Sequence, residues 1–312
     1  MKQTFKSELV GVELFKRVIL YVVAYIVCIS SAVYMAGNEN FAGYFLTLVL
    51  AVFSAMMMMY QIYSLLINSV SLNNEKFEFI GTFRKFFTLC VKGLLLSIIT
   101  LGIYGAWFER NLISFFTDNT QYPNKVITFR GKAGKLFKYM LLSFVLPVIA
   151  LGVFLGLGFP NVFLGTDLGA KTLILFLAIY IIGVCVITAV YSFYVYKWYI
   201  NFTFGESVLG LDVKSTNAIL FLCTEIFLTV ITLGIYGFVA YVHIFKYFVN
   251  NSRLTNETTG EVEKLNFLGR TGEGFKLLFI QTILSIITIG IYLPWAYANI
   301  YNWFISNVEI GE

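Results

Sequence analysis

The chain has 312 residues, 59% of them hydrophobic and only 12% charged, with a formal net charge of +5 and a mean hydropathy of +0.81. A water-soluble domain is about half apolar and about a quarter charged, so this chain has too little polar surface to cover a soluble globule, and the bilayer is the solvent that fits. The surplus Lys and Arg lie beside apolar runs and form no basic block or stripe, which reads as membrane topology and argues against a nucleic-acid partner.

The first apolar run follows Lys2 and Lys6 without a small-residue cleavage site, so it is expected to stay as an anchor. It opens a long helical hairpin, roughly Glu13 to Asn68, that turns at Gly37–Gly43 and fills segment 1–80 with its link. A short hairpin follows in 81–131. A second long one, roughly Gly134 to Asn201 with the longer turn Phe159 to Lys171, occupies 132–214. Two further short hairpins are expected in 215–269 and 270–312. The expected fold class is therefore all-α and polytopic: about ten transmembrane helices as five repeated hairpins, with short β-strand links on the cytoplasmic side, in one membrane domain.

The short hairpins share a motif. Leu96-Ser97-Ile98-Ile99-Thr100-Leu101-Gly102-Ile103-Tyr104-Gly105 recurs as Leu228 to Gly237 and as Leu284 to Leu293, and Asn119, Asn251 and Asn307 follow at one spacing. Each copy reads as an apolar helix, a tight turn eased by glycine (Gly102 and Gly105, Gly234 and Gly237, Gly290), and a returning aromatic helix stopped by the asparagine as a left-handed cap. Alternating segments ending in Phe-x-Gly then occur at Phe77 to Gly81, Val126 to Gly131 and Leu265 to Gly269, with Phe87, Phe137 and Phe275 opening the next helices. Their period of two predicts strands that pair into a small surface sheet.

The turns Gly37–Gly43, Gly102–Gly105, Gly234–Gly237 and Gly290–Pro294 hold no Lys or Arg, and the longer turn holds only Lys171. The links between hairpins carry Lys76, Arg84, Lys85, Lys125, Arg130, Lys132, Lys135, Lys214, Arg253, Lys264 and Arg270. By the positive-inside rule the links and both termini are expected in the cytoplasm.

On these residues the chain resembles the YjgN-like family of bacterial inner-membrane proteins, a domain of unknown function. The family pattern stands here as Thr100 to Tyr104, Trp107, Arg110, Asn119-Thr120 and Phe129 to Gly131. It recurs as Thr232 to Tyr236 with Asn251-Ser252, and as Thr288 to Tyr292 with Trp295 and Asn307. The basic residues that follow the Trp in the family are mostly absent from the last two copies. The resemblance covers roughly residues 75–312 and implies a bacterial inner-membrane location, with no activity attached.

Superposing the motifs puts Gly93, Glu225 and Gln281 at one position of the first helix, and Asn111, His243 and Asn299 at one position of the second. Glu225 and His243 then share a depth near the bilayer midplane and are expected to touch, with Gln281 and Asn299 as a neutral counterpart. Lys92, Glu109 and Arg110 supply nearby charge in the first short hairpin. A charge at the bilayer centre costs about 2.5–3.5 kcal/mol on insertion scales, so such groups face the protein interior and take partners. Glu225 and His243 read either as a protonatable pair in a polar pathway or as interhelical hydrogen bonding; for Gln281, Asn299 and Asn111 packing is the simpler reading.

Other features carry less. The Met56 to Met59 run points in all directions around a helix, which suits packing better than a soft metal. Cys28, Cys90, Cys185 and Cys223 all lie in apolar runs without metal-like spacing. Asn201-x-Thr203 and Asn256-x-Thr258 fall on the expected cytoplasmic side and are discounted as glycosylation sites. No catalytic residue, metal site or cofactor motif stands out. The partners expected are the lipid bilayer and a small solute or ion. Two functions are in view: a transporter or channel with a midplane polar site, and a non-catalytic membrane scaffold or assembly factor that binds a protein or lipid. An enzyme ranks third.

Overall fold

The computed structural model describes residues 3–123, 125–160, 162 and 169–311. It separates into two compact units, residues 1–129 with 266–312, and residues 130–265.

In the first unit, β1 (Gln3–Ser7) leads into α1 (Gly11–Gly37) and α2 (Phe41–Asn68). Asn40 caps α2 by accepting from Gly43 N at 3.0 Å. Then come β2 (Val70–Leu72), β3 (Glu75–Lys76) and β4 (Glu78–Phe79), followed by α3 (Phe83–Ile99) and α4 (Gly105–Asp118). Strands β5 (Thr120–Tyr122) and β6 (Lys125–Phe129) follow α4. The C-terminal part contributes α10 (Thr271–Ile287), α11 (Leu293–Ser306) and β11 (Val308–Gly311). Strand β1 pairs antiparallel with both β2 and β11, β2 with β3, and β5 with β4 and β6.

The ends of the chain are joined firmly here. Asn302 Oδ1 accepts from Ser7 Oγ at 2.7 Å and Leu9 N at 2.9 Å, and its Nδ2 donates to Leu9 O at 2.9 Å. Gly11 permits a close helix crossing, since a Cβ there would stand 2.8 Å from Trp295 Cα. One core gathers Leu14, Val18, Leu65, Leu66 and Ala298, and a second gathers Phe79, Phe86, Cys90, Phe115 and Phe116.

In the second unit, α5 (Ala133–Met140), a π-helical turn (Leu141–Val145) and α6 (Leu146–Gly158) form one continuous helical rod. Pro147 explains the wide turn, because it has no N–H to donate back to the preceding turn. Helix α7 (Ala170–Tyr199) packs on it, with Gly183 against Leu151. Strands β7 (Asn201–Phe204) and β8 (Ser207–Leu211), helices α8 (Ser215–Ile231) and α9 (Gly237–Asn250), and strand β9 (Ser252–Asn256) complete the unit. Strand β10 (Val262–Phe267) pairs with β9, β9 with β8, and β8 with β7. Most of the longer turn Phe159 to Lys171 lies outside the described residues.

The all-α, ten-helix expectation is wrong on two counts. Eleven strands occur among the described residues, all of whose described pairings are antiparallel. They are a major part of the fold and not short links. Secondly, among the described residues only four helical rods are long and apolar enough to cross a membrane: Gly11–Gly37, Phe41–Asn68, Ala133–Gly158 and Ala170–Tyr199. Helices α3, α8 and α10 have 17 residues each and α4, α9 and α11 have 14. At 1.5 Å per residue these reach ~25 and ~21 Å, short of a ~30 Å hydrocarbon core. The apolar count ran too long because the helices pass straight into strands: β5, β9 and β11 begin directly after Asn119, Asn251 and Asn307.

Candidate functional site

The shared motif builds the tip of each short hairpin. Leu101, Leu233 and Ile289 adopt left-handed backbone (φ 51°, 49° and 50°), and the glycines after them lie at φ 89°, 90° and 85°. Gly102 N donates to Ser97 O, Gly234 N to Thr229 O and Gly290 N to Ser285 O, at 2.7–2.8 Å. This ends the first helix. The threonine then starts the second: Thr100, Thr232 and Thr288 Oγ1 accept from the N–H of Tyr104, Tyr236 and Tyr292 at 2.9, 3.0 and 3.1 Å. Of the glycines expected at the turn, Gly102, Gly234 and Gly290 need their freedom, whereas Gly105 and Gly237 are the first residues of their helices. The asparagines do not cap in the left-handed region as expected. Asn119, Asn251 and Asn307 sit at φ near −100° and donate Nδ2 to the carbonyls of Phe115, Tyr247 and Trp303, each at 2.7 Å.

Halfway along α8 and α9, Glu225 Oε1 lies 3.0 Å from His243 Nδ1. Glu225 is buried, 5% exposed, and its Oε2 has no hydrogen-bond partner among the described residues. The His243 side chain is 33% exposed, so one end of the pair is closed and the other open. Tyr236, a turn residue in the sequence reading, adds its hydroxyl 3.4 Å from the same His243 Nδ1. It stands seven residues before His243 on one helix face, and that spacing was the available signal. A protonated Nδ1 donates to the Glu225 carboxylate; a bare Nδ1 accepts from Tyr236. The ring nitrogen thus has two partners that suit its two protonation states.

In α10 and α11, Asn299 Nδ2 donates to Gln281 Oε1 at 3.2 Å, which places the neutral pair at the same hairpin position. The first short hairpin differs. Gly93 is buried under Phe108, whose Cδ2 would lie 2.0 Å from a Cβ on that glycine. Ala240 and Ala296 stand where α4 has Phe108, so a large residue on one helix is matched by a small one on the other. Asn111 therefore has no side-chain partner at position 93 and accepts from Arg110 Nη1 at 3.3 Å. Lys92 and Asn111 line a cleft in this hairpin, while Glu109 and Arg110 are half-buried on α4. The eight polar residues singled out in the sequence thus fall in three hairpins. Glu225 lies ~9 Å below the end of α8, a helix of 17 residues.

Four long apolar rods with exposed aliphatic flanks, together with hairpins whose apolar tips are 93–94% exposed at Leu101, Leu233 and Ile289, define an integral membrane protein. The chain belongs to the bacterial family described as "Bacterial protein of unknown function (DUF898)", whose model matches residues 11–261 and 262–312. It is also 31% identical over 87 residues to the inner membrane protein YjgN of Salmonella typhimurium, a match covering 28% of this chain and 22% of that protein. The chain thus spans about a fifth of the length of this curated relative. The YjgN-like resemblance read from the motif is therefore correct. No solved structure matches the chain.

Proposed function

We propose that the protein is a multi-pass protein of the bacterial inner membrane, with both termini in the cytoplasm, that moves a small solute or ion by a protonation cycle at Glu225 and His243. The observation that carries this reading is the pairing of a buried carboxylate, one oxygen of it unpartnered among the described residues, with an imidazole open on one side. An imidazole can both give and take a proton, and a buried ionisable pair in a membrane protein is by default a functional candidate. The distribution of Lys and Arg supports the orientation, and the relative's printed name supports the location. The near-identical tips of the short hairpins suggest duplication of an ancestral hairpin. No catalytic chemistry is assigned.

The experiment is proton flux in proteoliposomes holding a pH-sensitive dye, under an imposed potassium diffusion potential. Wild type is expected to acidify faster than empty vesicles, and Glu225→Gln and His243→Ala to fall to the empty-vesicle rate. If wild type matches empty vesicles and both variants lose only thermal stability, the transport reading fails. The second reading, a non-catalytic scaffold that meets a partner through its strands, would then stand; eleven strands give it more surface than the sequence implied.

A further inference from the structure

The cleft of the first short hairpin is built differently from its two counterparts. Its volume is about 600 Å³, and it is lined by Arg84, Lys85, Thr88 and Lys92 from α3, by Tyr104 at the tip and by Asn111 from α4, with no Asp or Glu in its wall. Lys85, Thr88 and Lys92 share one face of α3, at helical spacings of three and four. Arg84 and Lys85 begin that helix, next to β4, and Lys92 lies ~12 Å further toward the tip than Arg84.

The hairpin architecture does not require these charges. Where α3 has Arg84, Lys85 and Lys92, α8 has Thr216, Asn217 and Thr224, and α10 has Gly272, Glu273 and Ile280. All three hairpins nevertheless make the same tip hydrogen bonds. The floor is also particular to this copy, because Gly93 lets the Phe108 ring lie on the α3 backbone. Beyond Lys92 the same side of α3 turns apolar and stays exposed at Leu95, Leu96 and Ile99. One helix face therefore presents cations, then hydrocarbon, in the order of a lipid entering from its headgroup.

We propose that this cleft binds the phosphate of an anionic phospholipid, with Arg84, Lys85 and Lys92 around the phosphate oxygens, Asn111 donating a hydrogen bond, and the acyl chains lying along Leu95, Leu96 and Ile99. Arg supplies a planar fork for phosphate oxygens and Lys a mobile point charge. Lys92 is exposed with no carboxylate in its pocket, which leaves its charge accessible to an anion. Basic pockets between helices on the cytoplasmic side are lipid-headgroup sites on the same grounds. Free phosphate offers the same oxyanion, but it would leave the apolar half of the face uncovered. The site stands or falls separately from any transport at Glu225 and His243.

The test uses the full-length, delipidated protein in neutral detergent. Phosphatidylglycerol or phosphatidylcholine is added in mixed micelles, and bound lipid is counted by native mass spectrometry alongside thermal unfolding. Phosphatidylglycerol is expected to remain bound and raise the unfolding temperature, phosphatidylcholine to do neither, and millimolar inorganic phosphate not to displace the lipid. Each charge removed, as in Lys92→Gln or Arg84→Gln, should weaken phosphatidylglycerol binding about fivefold. Lys92→Arg should retain it, and Lys264→Gln, on β10, should leave it unchanged. Equal binding of the two lipids, an unaltered Lys92→Gln, or displacement by inorganic phosphate each overturns the proposal. If Lys92→Gln unfolds early without lipid, the salt dependence of wild-type binding decides: affinity that falls with salt supports the site, and salt-independent affinity overturns it.

Discussion

Gly93 and Phe108 occupy a contact that the other two short hairpins fill the opposite way round. A Cβ at Gly93 would lie 2.0 Å from the Phe108 ring, whereas Glu225 and Gln281 stand where Gly93 does and Ala240 and Ala296 where Phe108 does. Small faces large in each case, and only the helix carrying the large residue changes. The polar pairs at Glu225–His243 and Gln281–Asn299 exist because that exchange leaves room for a long side chain on the first helix.

This exchange predicts an asymmetric mutant series. Gly93→Ala alone forces the Phe108 ring off the α3 backbone and should cost about 1–3 kcal/mol. Phe108→Ala added to it should recover part of that loss, because the double variant has an alanine where α9 and α11 carry theirs. Thermal unfolding of both variants in one detergent checks this; a double variant less stable than Gly93→Ala would contradict it.

The tip threonines make a second prediction. Thr232 Oγ1 donates to Leu228 O at 2.8 Å and accepts from Tyr236 N at 3.0 Å, so it closes one helix and opens the next. Thr232→Val keeps the shape and removes both bonds. It should lower stability by about 0.5–2 kcal/mol, with Thr232→Ser close to wild type. Thr100 and Thr288 make the same bonds and should behave alike. Equal stability of the Val and Ser variants would show that the hydroxyl does not cap.

Asn302 predicts local rather than global weakening. It makes three hydrogen bonds to Ser7 and Leu9, across nearly the whole length of the chain. Asn302→Ala leaves the part-buried Leu9 amide and carbonyl unpaired, at about 1–3 kcal/mol for each such group. Amide exchange in β1 should accelerate by at least tenfold while α8 and α9 keep their protection. Uniform acceleration throughout the chain would instead mean that Asn302 holds the whole fold.

Much of this was legible in the residues. The eighteen-residue offset between Glu225 and His243, repeated between Gln281 and Asn299, was enough to pair them, because the tip motif sets helix phase on both sides of the turn. Depth was not legible. Hydropathy counts apolar residues and cannot tell a crossing helix from a short one followed by an apolar strand, so by sequence α3, α8 and α10 look like spans. The strands were also understated, since β5 (Thr120–Tyr122) and β2 (Val70–Leu72) are too short for period two to show. Tyr236 was absorbed into the turn motif, and its place beside His243 emerges only once α9 is seen to start at Gly237.

The most direct test of the account replaces Glu225 and His243 together with the residues that the last hairpin uses at the same positions. Gln281 and Asn299 show that this geometry accepts a neutral hydrogen-bonded pair, with Asn299 Nδ2 3.2 Å from Gln281 Oε1. The variant Glu225→Gln/His243→Asn should therefore unfold within about 1 kcal/mol of wild type, the usual worth of such an interhelical bond. Proton flux in proteoliposomes should fall to the empty-vesicle rate. Wild-type flux in a double variant of unchanged stability would contradict the account, because the pair would then be packing and nothing more.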